Sequence, residues 1–462
     1  MSDTVAKRSD AVAAMAEAAR KGRALMGGTG AMRKAGEAYL PRFKAEQDED
    51  YKARLASSWL FNGFKKTVKD MTGRVFDKPA ELAEAPASVV EWAENIDMQG
   101  RDLSTFACEV FKDGFAAGVS FIMVDAPRRD GETTRAQAAQ SGLRPYFVHL
   151  TVEEILGWKT ATYGNVTALS QFRIMEQVEA GDPSDEFKTI NIEQVRVLDR
   201  LDTGVQVRLF RKNDKEKWVL FDEYTTDASE ITVVPYYAQR TGFCTGEPVL
   251  EDLADVNIAH WQSQSDQRHI LHKARVPILF ASGIDEDTEL VIGASSAVTS
   301  QNPDAKLSWV EHTGAAIGAG RQDLKDLEFQ MEALGLQLLV ARAQSATGAA
   351  LDAAKETSSL AMMADSLVDA LEQSFIWMME YGGIDGQVSV TANKDFGVTM
   401  MTAQEMQSLL TAVNTGQLSR ETFLEEMKRR GALRSDLDTA MEIDRIEQEA
   451  PDLTGADDGF GE

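Results

Sequence analysis

The chain has 462 residues, enough to bury a large core and to form two or more structural units. Its 43% hydrophobic and 8% aromatic content are typical of a globular protein, and no apolar run reaches the roughly 18 residues of a membrane helix. The 48 basic and 74 acidic side chains give a net charge of −26, which argues against a protein that recognises DNA sequence through a basic face. The charge is compatible with a protein surface along which DNA slides without binding, because a negative surface repels phosphates.

The first residues predict a loosely packed start. Residues 1–30 are rich in Ala, Ser and charge and end in a glycine cluster, which favours a frayed helix followed by a flexible joint. They lack the apolar core of a signal peptide, so we expect synthesis in the cytoplasm. The only cysteines, Cys108 and Cys244, are expected to be small buried hydrophobic residues rather than a disulfide framework.

Helical spacing and then alternation follow along the chain. Residues 46–77 predict one amphipathic helix, and residues 103–117 predict another that leads into the buried strand VSFIMVDAP. Strand patterns dominate residues 145–238, where Val205, Val207 and Leu209 alternate with polar side chains. This block predicts an antiparallel sheet with meander connections.

The stretch 246–284 predicts a long helix that loses its apolar stripe halfway. An apolar stripe ends at Trp261, residues 262–269 are polar on every side, and a short buried strand follows at 275–280. Short elements over 283–316 and a second long helix then complete a helix–insert–helix pattern. This order predicts a stalk with a small tip.

The carboxyl-terminal third is mainly helical in pattern. Residues 341–356 carry almost no large apolar groups, which favours either a mobile loop or close packing at a crowded axis. A helix is predicted over 357–381, and a strand at VSVTANKDF follows it. Thr402 with Glu405 forms a capping-box pattern, Ser419 suits a second helix cap, and a last helix is predicted over 435–449.

Two polar clusters contain residue types that could form a chemical site. Asp182, Glu186 and Lys188 faintly match the carboxylate and ExK pattern of metal-dependent nucleases, but their place in one turn favours a charged hairpin tip. Asp266, His269 and His272 share part of a helix face, and with His260 they leave metal binding open, although a solvated polar face is the plainer interpretation. No phosphate-binding loop or catalytic constellation is present in the sequence, so we expect a protein without enzymatic activity, cofactor or metal.

The order and spacing of several segments resemble the portal, or head-to-tail connector, proteins of tailed bacteriophages. No single segment is a strict motif, but together they extend over most of the chain. The segments that carry the resemblance are residues 39–41, 51–55, 240–248, 257–263, 266–271 and 318–328.

The resemblance implies an α+β portal-type fold with a mixed wing, two stem helices, a small α/β clip and a helical crown. The implied boundaries are an N-terminal arm at 1–45, wing at 46–246, first stem helix at 247–275, clip at 276–316, second stem helix at 317–340, tunnel-loop region at 341–356, wing return at 357–401, crown at 402–449 and acidic disordered tail at 450–462. By the same analogy, the polar half of the first stem helix is an intersubunit and channel-side surface.

The resemblance also implies a mechanical function. A ring, usually of twelve subunits, is expected at one capsid vertex of the virion, where double-stranded DNA passes through during packaging and ejection without sequence specificity. The expected partners are other copies of the chain, the major capsid protein, the terminase packaging motor and a head-tail adaptor, with no membrane involved. Arg342, Gln344, Ser345 and Thr347 are the candidate DNA-channel residues, with an ordinary surface loop as the alternative.

Two other functions remain open from the sequence. A scaffold or minor capsid protein would be a different structural role, although the predicted sheet over 145–238 argues against a mainly helical scaffold. A metal-dependent nuclease would depend on Asp182, Glu186 and Lys188 alone.

Overall fold

The computed structural model describes residues 3–127, 143–182, 184–274, 278–283, 302–310, 315–336, 346–393, 403–429, 432–434 and 437–449. The chain divides into two compact units, the first comprising 1–352 with 362–393 and the second 353–361 with 394–462. Helices account for 47% and strands for 27%, and the predicted α+β class is confirmed.

The first unit begins with two packed helices, α1 (Asp10–Met26) and α2 (Gly28–Ala35). The prediction of a frayed start is wrong, because α1 buries Val12, Ala19 and Leu25 completely. Its small residues allow close approach: a Cβ added to Gly22 would lie 3.0 Å from the carbonyl oxygen of Ala116. The sequence of α1 is poor in large apolar residues because small residues pack closely there, and not because the helix is exposed to solvent.

The single helix predicted over 46–77 is two helices, α3 (Asp48–Ser57) and α4 (Gly63–Val75). Asn62 begins the second one, because its Oδ1 accepts a hydrogen bond from the backbone N–H of Lys65 at 2.8 Å. The chain then forms β1 (Glu81–Glu84), α5 (Ala87–Ala93) and α6 (Leu103–Ala117).

Two antiparallel sheets follow. The first has the order β3–β2–β9, formed by β2 (Val119–Asp125), β3 (Tyr146–Leu150) and β9 (Val233–Tyr237). The second is a five-stranded meander of β4 (Ile155–Tyr163), β5 (Val166–Asp182), β6 (Asp185–Leu201), β7 (Gly204–Lys212) and β8 (Trp218–Thr226).

The predicted meander is therefore confirmed for β5 to β8, whereas β4 was not predicted. The outer segments of the predicted block, β3 and β9, pair with β2 instead. β2 is almost entirely apolar, as expected for a strand whose side chains are buried on both faces of the sheet.

The main core lies between the two sheets and α1. Val12 and Met15 of α1 pack in one cluster with Phe121 of β2 and Phe172 of β5, whose rings are 6.0 Å apart. The opposite face of the five-stranded sheet carries a smaller cluster around Trp218, against which Val5 and Ala6 pack. The sheet thus has apolar side chains on both faces.

The short strands β10 (Arg240–Gly242) and β11 (Thr245–Gly246) lead into the predicted stalk. It comprises α7 (Glu251–Ala274), β12 (Ile278–Ser282), β13 (Lys306–Val310) and α8 (Ala315–Met331), and a π-helical turn (Glu332–Leu336) follows. The long helix α9 (Ala346–Gly382) and the strand β14 (Ser389–Thr391), which pairs with β1, come next.

The second unit contains α10 (Ala403–Asn414), α11 (Arg420–Arg429) and α12 (Thr439–Glu449). The predicted cap at Ser419 is confirmed, because its hydroxyl accepts from the backbone N–H of Thr422 at 3.1 Å. The last helix begins later than predicted, after Asp438, whose carboxylate accepts from two backbone N–H groups. Thr402 of the predicted capping box and the tail 450–462 lie outside the described residues.

Candidate functional site: a helix pair with an inserted strand pair

The helices α7 and α8 form an antiparallel pair joined mainly by polar contacts. His260 Nε2 lies 3.4 Å from Glu328 Oε1, and the hydroxyl of Ser263 donates to the carboxylate of Asp323. Farther along, Gln267 Nε2 donates to the carbonyl of Ile317 at 2.8 Å. The contacts run in opposite sequence directions, so the C-terminal end of α7 lies beside the N-terminal end of α8.

Part of the polar half of α7 packs against its own chain, whereas Arg268 is exposed, and the expected intersubunit and channel-side role of this half stays a prediction. Ser265 is 3% exposed and its hydroxyl accepts from Ser58 at 2.9 Å. Gln262 Nε2 donates to the carbonyl of Tyr39 at 3.0 Å, and Gln267 is 7% exposed. These polar side chains can be buried because the groups that they contact are hydroxyl and backbone groups, which form hydrogen bonds with them.

Arg54 on α3 is the centre of this contact. Its guanidinium donates twice to the carboxylate of Glu46, at 2.7 Å each, and once to the carbonyl of Pro41 at 2.8 Å. It also lies 3.5 Å from Asp266 on α7 and 4.2 Å from the ring centre of Phe43. The Arg54 side chain is 1% exposed and that of Glu46 3%, and the hydrogen bonds from Arg54 lower the pKa of Glu46.

The other end of α7 is fixed to the break between α3 and α4. The Asn257 side chain donates to the carbonyl of Phe61 at 2.8 Å and accepts from the N–H of Phe64 at 3.0 Å, and Asn257 is fully buried. His260 is 1% exposed and its ring centre lies 5.4 Å from that of Phe61. Burial lowers the pKa of His260, and the contact with Glu328 opposes this only in part.

In contrast, α8 leaves most of its surface uncovered. Residues 321–323, 325–326 and 328–330 are exposed, whereas Met331 at its end is buried. Two glycines show the two sides of the helix. A Cβ on Gly318 would meet no atom within 4 Å, but one on Gly320 would lie 2.1 Å from Gln267 Oε1.

The strand pair inserted between the helices exposes apolar groups on both faces. β12 and β13 are antiparallel, with Phe280 opposite Ser308 and Ala281 opposite Leu307. Phe280 is 53% and Leu307 45% exposed, and they lie on opposite faces because their pairs are adjacent in the register. A two-stranded pair gains little stability on its own, so a tip of this kind favours contact with another molecule.

The structure places the suspected nuclease residues at the tip of the β5–β6 hairpin. Lys188 Nζ lies 2.9 Å from the carboxylate of Asp182, which also accepts from the hydroxyl of Ser184 at 2.6 Å. The hydrogen bonds from Ser184 and then from Lys188 lower the pKa of Asp182, whereas Glu186 is exposed. The interpretation as a charged hairpin tip is confirmed.

The structure does not bring Asp266, His269 and His272 together as a metal site. Asp266 faces Arg54, the His269 ring lies 6.1 Å from that of Phe43, and His272 is exposed. Within the described ranges, no group of three His, Cys, Asp or Glu side chains is placed to hold a metal ion. The same ranges contain no helix long and apolar enough to cross a membrane.

Of the four DNA-channel candidates, Arg342, Gln344 and Ser345 lie outside the described residues, and Thr347 lies in the first turn of α9. Because α9 begins at Ala346, residues 346–356 of the expected tunnel-loop region are helical, whereas residues 341–345 lie outside the described residues, and the tunnel loop stays a prediction. The abundance of alanine over 346–356 suits a helix well.

A buried polar cluster was missed from the sequence. Asp113 on α6 receives hydrogen bonds from Arg23 and from the hydroxyl of Ser120, which also lies 2.8 Å from His149 Nε2. Both Asp113 and Ser120 contact the same imidazole nitrogen, and Ser120 is fully buried, so the geometry differs from a nucleophile–base–acid relay. An aspartate within an apolar helix and a serine within an apolar strand were the available signals.

Glu153, in the turn between β3 and β4, strengthens this cluster. Glu153 accepts from Arg23 at 2.9 Å at both carboxylate oxygens. Burial alone would raise the pKa of Asp113, but the contact with His149 and the charge of Arg23 outweigh it and lower the pKa. The cluster fixes α1 to α6 and to the β3–β4 connection, and its role is structural.

A family model described as a domain of unknown function (DUF4055) matches residues 249–382, which include α7 to the end of α9. A search of curated protein sequences finds no match.

Among solved structures, a chain of the virion of a native gene transfer agent particle is 11% identical, with 86% of this chain and 97% of that chain covered and a TM-score of 0.40. A chain from the neck of the empty particle, computed with C6 symmetry, is 10% identical over 80% and 89%, with a TM-score of 0.41. A chain from the neck of the native particle, computed with C12 symmetry, is 11% identical over 78% and 88%, with a TM-score of 0.38. At this level of likeness, the functional argument depends on the residues of this chain itself.

Proposed function

We propose that this chain is a structural component of a phage-like head or neck and, within it, the portal subunit. Copies would form a ring at one capsid vertex, dock the packaging motor and later the tail, and let DNA pass inward and outward. The carrying observation is the antiparallel pair of α7 and α8 with a strand pair inserted at one end, since this is the layout that the sequence resemblance assigns to stem and clip.

The distribution of exposed surface supports this proposal. One side of α8 is fixed to α7, whereas its other side, around Gly318 and Ala319, is open. The tip exposes Phe280 and Leu307 on opposite faces. A helix side and a strand pair of this kind suit a subunit with neighbours in a ring and a docked partner at its tip.

The charge supports a mechanical role at DNA. A net charge of −26 gives low nonspecific affinity for phosphates, which suits a channel through which DNA must slide. The proposed role is not enzymatic, and the energy for DNA movement would come from a separate motor.

Electron microscopy and native mass measurement of the purified full chain test the proposal. We expect closed rings with a central channel and a mass that is a fixed multiple of 50.7 kDa. Ala319→Trp on the open side of α8 is expected to prevent ring closure while the thermal midpoint of the chain is unchanged. Ala319→Ser at the same position is the matched control, since it adds only a hydroxyl group, and it is expected to leave both rings and midpoint unchanged.

Two outcomes would overturn the portal assignment. A purified chain that stays monomeric at all concentrations would exclude a ring former. Regular assemblies without a channel would favour a different shell component.

A further inference from the structure

The β5–β6 hairpin extends well past the rest of its sheet. The pairing of β5 with β4 ends at Ile174, and the pairing of β6 with β7 begins at Gln194. Residues 177–182 and 185–193 therefore pair only with each other, and we call them the arm. At about 3.3 Å per residue, its six-residue strand reaches roughly 17 Å beyond the sheet.

The arm has one apolar and one polar face. Val178 pairs with Ile192 and Ala180 with Ile190 on the first face, whereas the intervening pairs place Glu179 and Thr189 on the second. Near the tip, Phe187 is 89% exposed. Val178, Ala180, Ile190 and Ile192 are half-buried, and among the described residues none of the four belongs to the core clusters on the two faces of the sheet.

A two-stranded ribbon is at best marginally stable in water, and half-buried apolar side chains leave surface that a partner can cover. The arm therefore needs a partner to gain stability.

The same sheet ends in a second incomplete surface. β8 is its last strand, and the consecutive residues Val219, Leu220 and Phe221 are 41%, 43% and 58% exposed. The backbone groups on the outer side of an edge strand lie outside the sheet's ladder and favour pairing with another chain. An apolar edge of this kind is normally covered in the assembled protein.

The charges of these two surfaces are opposite. The arm carries five carboxylates and one cation, Lys188. The segment RKNDKEK, which ends β7 and turns into β8, carries four cations and two carboxylates. Lys212 in this segment already lies 2.6 Å from Glu193 at the base of the arm, which shows that the two kinds of surface can pair.

We propose that the arm of one copy lies along β8 of a second copy of this chain. The arm cannot reach its own β8, because it continues β5 and β6 outward in line and β7 lies between β6 and β8. Contact between two different surfaces of identical chains propagates from copy to copy and closes into a ring when the rotation allows. This inference rests on the proposed ring and supplies one of its subunit contacts.

The test compares the two faces of the arm in the purified full chain. Ile190→Asp combined with Ile192→Asp places two charges on the apolar face, and Thr189→Asp combined with Asn191→Asp places the same two charges on the polar face. We expect the first variant to weaken self-association at least tenfold in sedimentation velocity experiments and the second to leave it unchanged. Thermal melting verifies that both variants fold, since the arm lies outside the sheet's core clusters.

A crosslink identifies the contacted surface. Chains with Phe187→Cys are mixed with chains with Leu220→Cys, and an oxidised dimer is expected in the mixture at a yield well above that of either variant alone. The single variants and the native chain control for Cys108 and Cys244.

The outcomes separate this inference from the proposed function. Rings that persist in the Ile190→Asp/Ile192→Asp variant, or equal losses in both double variants, would overturn the arm contact and leave the portal proposal standing. A native chain that forms no assembly would overturn both.

Discussion

The helices α7 and α8 contact each other along their length, yet the chain covers them to different extents. α7 is closed in by α3, α4 and the chain around Tyr39, so that even Ser265 and Gln267 are buried. α8 has α7 on one side, and its residues 321–323 and 325–326 are exposed. Polar composition is therefore a poor guide to exposure: the helix with the more polar centre is the buried one, because hydrogen bonds replace apolar contacts there.

The largest expected effect comes from breaking the closed side at Arg54. Arg54→Met leaves the Glu46 carboxylate buried without its partner, and removing one member of a buried ion pair costs about 3 kcal/mol. Urea denaturation followed by tryptophan fluorescence measures this loss. Arg42→Met is the control, since its partners Glu37 and Asp48 are well exposed, and little change is expected. Equal losses in the two variants would mean that the Arg54 cluster does not hold α7.

A smaller loss is expected at the opposite end of α7. Asn257→Ala removes the side-chain acceptor of the Phe64 N–H and one of the two donors to the Phe61 carbonyl, which keeps the N–H of Gly63 at 3.3 Å. Leaving the buried Phe64 N–H unpaired costs about 2 kcal/mol. Gln322→Ala on the exposed side of α8 is the control, with an expected change near zero because this exposed side chain donates to Asp326 of its own helix. A wild-type unfolding midpoint for Asn257→Ala would show that water replaces the amide without cost.

Two glycines of α8 compare its covered and open sides directly. Gly318→Ala meets no neighbour and removes a glycine from a helix, so we expect a gain of about 0.5 to 1 kcal/mol. Gly320→Ala pushes Gln267 away from the carbonyl of Ile317 and should lose most of that gain. Thermal melting of the two variants and of Gly320→Ala with Gln267→Ala provides the measurement. If both single variants melt alike, the contact between α7 and α8 is looser than the geometry indicates.

These features differ in how far the sequence predicts them. Apolar periodicity located α7, α8, β2 and the meander from β5 to β8, because each carries the period of its own element. It failed for α1, where alanines and Gly22 pack closely without large side chains, and for β4, which lacks a sustained alternation. The role of residues 262–269 also escaped, since Arg54 and Ser58 lie about 200 positions earlier and no local pattern pairs them with α7.

The smallest expected effect concerns His260, which lies where the buried helix α7 contacts the exposed helix α8. Burial holds its folded-state pKa below the unfolded value of about 6.5, so between these two values the unfolded chain binds more protons. The contribution of His260 to stability should therefore be constant above about pH 6.5 and fall as the pH drops through that window. The carboxylates of Glu46 and Asp113, whose folded pKa values are lowered, contribute losses only at more acidic pH. Thermal midpoints of His260→Gln should decline less between pH 7 and 5 than those of the native chain, and His272→Gln, an exposed control, should follow the native chain. Parallel curves for the native chain and His260→Gln would show that the imidazole, despite its burial against Phe61, is protonated as readily in the folded chain as in the unfolded one.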